Sequence, residues 1–199
     1  MDIKNGMRVK VAIALGTVAA AVAGGHLSAP ASASNCPPPP TALQPFAPWA
    51  DNNPYVLNTG GSFEPGSAPW QLSGGAKVVT DNAPNALDPS TDKQSLYLPS
   101  GSSATSACTT APKIVGIVRF FIKNSGLSTG TLKVEVLVKG KVYPAGTISA
   151  GTSWAPSPIL TSTAPAFKGA VTYQLRLTPL GSGAAFTVDD VYFDPYCSR

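Results

Sequence analysis

The chain has 199 residues, a formal charge of +4, 43% apolar and only 12% charged side chains, with 19 Gly and 20 Pro. Gly and Pro together make about a fifth of it, above average usage but below the quarter or more of unstructured low-complexity chains. Low charge and frequent β-branched residues exclude a disordered chain, and the length suits one domain.

The first element is an address. Lys4, Arg8 and Lys10 precede an uncharged run rich in Ala, Val and Gly from Val11 to Gly25, and Ala31-Ser32-Ala33 follows. This pattern predicts a secretory signal peptide over 1–33, cut after Ala33, and hence an exported, extracellular protein. The run is shorter than the roughly 20 residues that span hydrocarbon, and no second apolar run appears, so no membrane insertion is expected. Ser34-Asn35 before Cys36 does not fit a lipidated cysteine. Cleavage leaves 166 residues and removes Lys4, Arg8, Lys10 and Asp2, so the charge falls to +2. That is no footprint for nucleic acid, which requires clustered Lys and Arg. Cleavage also removes His26, the single histidine, and with it Ser-His or Cys-His nucleophilic catalysis and imidazole-bound zinc or copper.

Residues 34–54 then read as a Pro-rich extended leader, Pro37 to Pro40 at its start and Pro-Phe-Ala-Pro-Trp at 45–49, wrapped on a domain over 55–199. Outside the cell one disulfide is expected among Cys36, Cys108 and Cys197. Cys36–Cys108 is favoured, because the leader cannot pair well in a sheet and needs tying down. Cys197 lies in the fraying C-terminus and becomes a free thiol, available to link a dimer. A pairing that uses Cys197 is the alternative.

From Tyr55 onward short strand-like runs alternate with Gly, Pro, Asn and Asp. Tyr55–Glu64 is interrupted at Gly60-Gly61; Trp70–Val79, Gln94–Leu98 and a polar run, Ser102–Ala107, follow. Ile114–Lys123 is continuously apolar around Arg119, as in a central strand covered on both faces. Leu132–Lys139 alternates, and Lys141–Ile148 pairs back across Gly140 as a hairpin. Ala170–Thr178 alternates again, and Ala185–Phe193 closes the domain. Eight or nine strands at roughly 10–15-residue spacing, without a long helical stripe, predict an all-β sandwich or barrel rather than βαβ units.

Four phrases carry a resemblance. Asn58-Thr59-Gly60-Gly61-Ser62-Phe63-Glu64 resembles the N-G-x-F-E opening of galactose-binding-domain-like jelly rolls, and Trp70-Gln71-Leu72 resembles their next strand. Asp92 to Leu98 is similar to their G-x-x-S-L-x-L strand without its usual Gly, and Ala185 to Val191 to their closing (I/V)-D-D-V strand. The set spans roughly Asn58–Asp194 in the expected order. It implies a jelly-roll β-sandwich of two antiparallel sheets, a fold that includes many non-catalytic carbohydrate-binding modules and carries many other roles. The whole pattern is also similar to small exported actinobacterial proteins that stand without a catalytic partner. The resemblance further implies a structural calcium held by Glu64 and one of Asp189 or Asp190, hard oxygen ligands of the kind calcium takes.

For a sugar, exposed aromatic rings act as platforms, since a ring face matches the C–H face of a pyranose. Trp154, Tyr143 and Tyr97 are the candidates, beside Trp49; Trp70 reads as core. Trp154, the better candidate as a loop residue, is more often a packed anchor in such a position, and Asn82, Asn85 and Asp88 could add hydrogen bonds or equally form turns. Glu135 reads as a surface charge, and Arg119 and Arg176 as members of structural ion pairs. No carboxylate lies in a recognisable catalytic sequence. The function expected is therefore a secreted, non-catalytic binding module for carbohydrate or a cell-surface glycan. A structural or assembly protein of the cell exterior is the alternative, and a glycoside hydrolase a distant third.

Overall fold

The computed structural model describes residues 36–65, 68–84, 91–111, 116–127 and 129–194; the export segment 1–33, Asn85, Asp88 and Cys197 lie outside them. One antiparallel sheet orders β10 (Ala155–Pro156), β7 (Ile117–Asn124), β13 (Ala185–Asp194), β4 (Gln94–Pro99) and β3 (Lys77–Thr80). In it β1 (Val56–Leu57) also pairs with β13, and β11 (Leu160–Thr161) with β7. The other sheet orders β2 (Gln71–Ser73), β5 (Ser103–Thr105), β12 (Val171–Leu180), β8 (Thr131–Val138) and β9 (Lys141–Ile148), with β6 (Thr109–Ala111) on β12. The chain crosses repeatedly between the sheets, giving the expected jelly-roll β-sandwich. The strands outnumber the eight or nine expected because several are only two or three residues long.

Period-two alternation sets the layers. Leu132, Val134, Val136 and Val138 of β8 face Val171, Tyr173, Leu175 and Leu177 of β12, and these join Leu96, Leu98, Val118, Phe120, Ile122, Phe186 and Val188 in the core between the sheets. Lys139 and Gly140, both at positive φ, make the two-residue β8–β9 turn whose twist suits a hairpin. The run Trp70–Val79 divides instead of forming one strand. Gly74 and Gly75 hold φ of 62° and 88°, so β2 joins one sheet and β3 the other.

β7 is buried on both faces, as its unbroken apolar sequence predicts. Its outward Ile117 and Phe121 pack with Phe46, Tyr55, Ala83 and Tyr192 in a second apolar cluster. The leader supplies Phe46 to this cluster. It does more than run extended: Leu43 and Tyr55 exchange two backbone hydrogen bonds of 2.7 Å, closing 43–55 into a strap around a 3-10 turn at Ala47–Trp49. The Cys36–Cys108 disulfide anchors its start, closing a 72-residue separation, worth about 4 kcal/mol on the chain-entropy model.

The strap is locked by charge. Arg119 Nη1 donates to Asp51 Oδ2 at 2.5 Å and its guanidinium lies 4.4 Å from the Phe46 ring centroid. The Tyr55 hydroxyl donates to the same oxygen at 2.7 Å. Burial works to raise the Asp51 pKa, but the Tyr55 hydroxyl, the Asn53 amides and Arg119 together hold it below the usual carboxylate range. A depressed folded-state pKa stabilises above the unfolded value near 4 and is lost as pH falls through the folded one. Asp51→Asn should therefore cost about 3 kcal/mol at pH 7 by leaving Arg119 buried without its counter-charge. Urea unfolding should show part of this gap closing below pH 4; a cost unchanged from pH 7 to pH 3 would refute the assignment.

Candidate functional site

The closing strand carries two adjacent carboxylates, Asp189 and Asp190, and in a regular strand these would point to opposite faces. The register of β13 against β7 shifts between Asp189 and Tyr192, and Asp190 sits there at φ +46°. Asp is among the few non-glycine residues that tolerate this region. The extra residue of this bulge changes the parity of the strand. Phe186 and Val188 face the core before it, and Val191 and Phe193 face the core after it. Both carboxylates thereby approach Asp92, and one ligand oxygen from each of Asp92, Asp189 and Asp190 lies within 4.8 Å of the others. All three residues are buried. Burial, then the charges of Asp190 and Asp92, push the Asp189 carboxyl up to about 8 against the pull of the Ala83 amide. The Tyr192 hydroxyl is buried without a hydrogen-bond partner, and burial plus these same three aspartates drive its pKa upward.

Glu64 stands beside this cluster. Its Oε1 accepts the Lys93 and Gln94 amides at 2.6 Å each, and its carboxyl contacts that of Asp92. Burial works to raise its pKa, but these hydrogen bonds hold it below the ordinary range. Thus the three residues singled out in sequence, Glu64, Asp189 and Asp190, meet around a fourth, Asp92. The signal for Asp92 was its place just before the strand that follows, on which Glu64 closes. The 58–61 turn clasps the bulge: Asn58 N donates to Val191 O at 2.8 Å, and Val191 N to Gly61 O at 3.0 Å. A Cβ on Gly61 would sit 2.6 Å from Val191 O.

The outer face of the seven-stranded sheet has two halves. The strap covers the half around Arg119, Phe121 and Tyr192. The other half presents a row across four strands, Lys77, Tyr97, Thr187 and Lys123, in direct register. Trp154, just before β10, continues it. Lys123 Nζ lies 4.9 Å from the Trp154 ring centroid and 2.5 Å from Asp81 Oδ2, while Trp154 Nε1 donates to Asp81 Oδ1 at 3.4 Å. Lys77 Nζ lies 5.9 Å from the Tyr97 centroid. Between the aromatic flanks Thr187 is buried, its hydroxyl 2.6 Å from that of the exposed Ser125. Trp49, 37% exposed, packs edge-on to Phe121 at 5.5 Å, two residues along β7 from Lys123.

Tyr143 does not share this face. Its partner in β8 is the core residue Val136, and its ring packs on the interior cluster from the other sheet. The outer face of the other sheet carries Gln71, Ser103, Thr105, Gln174, Thr178, Lys133 and Leu137, with no aromatic side chain among the described residues. Its centre is Glu135, which is buried rather than a free surface charge, joined to Arg176 Nε at 2.9 Å and Lys133 Nζ at 3.2 Å. Arg119 and Arg176 both form the structural pairs expected of them. The Cys36–Cys108 bond is the pairing favoured from sequence.

No protein-family model matches the chain, and no curated protein matches it. Among solved structures it is similar to a family 61 carbohydrate-binding module in complex with β-1,4-galactotriose, at 17% identity over 63% of this chain and 88% of that one, with a TM-score of 0.44. It is similar to a family 22 xylan-binding domain from Paenibacillus barcinonensis, at 17% identity over 67% and 90%, TM-score 0.43. It is also similar to part of the Agl-KA catalytic domain, at 11% identity over 74% of this chain and 29% of that one, TM-score 0.45.

Gly61→Ala tests the clasp. The added methyl must displace the backbone at the bulge, so the variant should lose about 2–4 kcal/mol in urea unfolding. A loss below 0.5 kcal/mol would show that the turn yields and does not hold the acid cluster.

Proposed function

We propose that the protein is an exported, non-catalytic carbohydrate-binding protein whose platform is the open half of the seven-stranded sheet. One observation carries this reading: Tyr97 and Trp154, both half-buried, stand on the same sheet face on either side of the buried Thr187, whose hydroxyl pairs with that of the exposed Ser125. Neighbouring strands lie about 4.8 Å apart, so Tyr97 and Lys123 are separated by about 10 Å. Asp81 and Lys123 hold the Trp154 ring from its edge and one face. A ring already fixed in orientation loses little freedom when a sugar stacks on it. Ser125, exposed just past the end of β7, and Lys123 supply the polar groups that read hydroxyls, and the buried Thr187 holds the Ser125 hydroxyl in place. Tyr143, turned to the interior, takes no part.

The carboxylates support a non-catalytic reading. Glycoside hydrolysis pairs a raised general acid with a second, accessible carboxylate. Glu64 and Glu135 are both held below the ordinary range by donors that engage them. Asp189, the carboxyl that is raised, is fully buried. The disulfide fits an oxidising exterior. No helix among the described residues is long and apolar enough to cross a membrane.

The acid cluster fits a structural calcium. Its donors are all oxygens, three carboxylates converge, and the Tyr192 hydroxyl beside them lacks a partner. Asp92, Asp189 and Asp190 would hold the ion, with Glu64 behind Asp92. Burying like charges together is costly without a cation.

Two measurements test these readings. Millimolar calcium should raise Tm over that in chelator by about 5–10 °C, and Asp190→Asn should abolish the difference; equal melting in calcium and chelator would remove the ion. On a panel of immobilised polysaccharides, Tyr97→Ala should weaken retention at least tenfold with Tm little changed; Trp154→Ala should weaken it as much while also lowering Tm, because its ring packs against the Phe46–Phe121 cluster. Tyr143→Phe, which keeps the ring, should bind as the parent does. Retention of no glycan by the parent protein would end the proposal.

A further inference from the structure

The geometry points to an anionic polysaccharide, one bearing carboxylates along its length, as the ligand of the Tyr97–Trp154 platform; this rests on the reading of that face as a carbohydrate site. A neutral sugar needs ring faces and hydroxyl partners. Here each ring is delivered together with an ammonium group. Lys77 projects from the edge strand at Tyr97 and Lys123 from β7 at Trp154. The two lysines stand in one cross-strand row with Tyr97 and Thr187 between them. Three strand spacings make about 14 Å between their backbones. A monosaccharide cannot touch both, whereas a chain laid across the strands can.

Among the described residues, the charges on this half are not balanced. Asp81 is the acid paired there, and it is committed to Lys123 and to the Trp154 indole. Asp189 lies on the same side but is fully buried, accepting the Ala83 amide at 2.8 Å. Lys77 is exposed and no carboxylate of the described residues lies within ion-pair distance of it. The opposite face differs: Lys133 and Arg176 are both joined to Glu135, with no ring beside them. Thus an uncommitted cation and the candidate stacking rings coincide on one face. An ammonium held over a ring at an exposed site contributes little to stability by itself. It also keeps the long lysine stem from sweeping solvent, so the charge is placed where a ligand lying on the ring would present its carboxylate.

The test compares retention of the protein on immobilised polygalacturonate, on the same polymer with its carboxyls reduced to alcohols, and on dextran sulfate, each at low and high salt. Polygalacturonate should be bound best, its carboxyl-reduced form at least fivefold more weakly. Lys77→Gln should cost about five- to tenfold on the acidic polymer and nothing on the reduced one, with the loss shrinking at high salt. Lys133→Gln, on the opposite face, should change nothing. Equal binding of both polymers with Lys77→Gln silent and Trp154→Ala defective would overturn the anionic ligand and leave the carbohydrate platform standing. Tighter binding of dextran sulfate, or equal losses for Lys77→Gln and Lys133→Gln, would reduce the effect to unspecific charge attraction and overturn it too. Binding of none of the three, nor of any neutral glycan, would overturn both readings.

Discussion

A single inserted residue, Asp190, decides how the last strand serves both layers. A strand reading Phe-Thr-Val-Asp-Asp-Val-Tyr-Phe cannot alternate evenly from end to end with its core residues inside. Even alternation from Val188 would turn Asp190 inward and Val191 outward. The bulge removes that conflict by a local left-handed turn, at a cost of order 1–3 kcal/mol for a non-glycine residue. Its return is the burial of Val191 and Phe193 in the core. The same turn gathers Asp189 and Asp190 beside Asp92. Glycine at 61 follows from it, because the clasping turn approaches the bulge backbone more closely than a methyl allows. The acid cluster is thus a consequence of how the strand stays in register.

The bulge also marks where one sheet face changes use. Beyond it Tyr192 and Asp194 lie on the covered side, where Phe46, Tyr55 and Phe121 pack together. Before it Thr187 lies, buried, in one cross-strand row with the half-buried Tyr97 and Lys123. The strap is therefore not an ornament on a finished sandwich. It buries the outward Ile117 and Phe121 that would otherwise make an apolar patch, and Asp51 neutralises the arginine that β7 carries on that side. What it leaves uncovered is the polar and aromatic remainder.

Long strands were legible because their periodicity is strong. β8 and β12 fall within two residues of the segments read from alternation, β9 coincides with the hairpin return read across Gly140, β13 ends one residue beyond the closing segment, and the double burial of β7 followed from its unbroken apolar run. Short pieces were not legible. β6, β10 and β11 are two or three residues each, set by pairing with a longer neighbour rather than by their own pattern. The buried arginines announced their need for acids, but which acids answered was a matter of topology: Asp51 comes from 68 residues away. Glu135 looked solvated because a strand's outer face usually is; Arg176 and Lys133 reach over it instead. Parity did not place every aromatic. Even alternation back from the core residue Ile148 would turn Tyr143 outward; the register shift between Val134 and Glu135 sets it opposite Val136 and inside instead. Tyr97, between Leu96 and Leu98, had to point outward. Trp154, outside any long strand, had no phase to read.

The electrostatic arrangement separates holding from reacting. A reacting carboxylate must be reached by substrate and must exchange a proton near neutral pH. The groups here divide those properties between them. Glu64 is partly reachable but is kept ionised by two backbone amides, while Asp189 titrates in the right range but lies wholly beneath the surface. On the other half of the face the groups that reach solvent are ammonium, the Ser125 hydroxyl and ring, which recognise by charge, hydrogen bonding and stacking. The stiffest of them, Trp154, is pinned by Asp81 and Lys123 together. Pinning suits a surface whose task is to present one shape to a polymer, since each fixed ring lowers the ordering cost of every contact made along the chain.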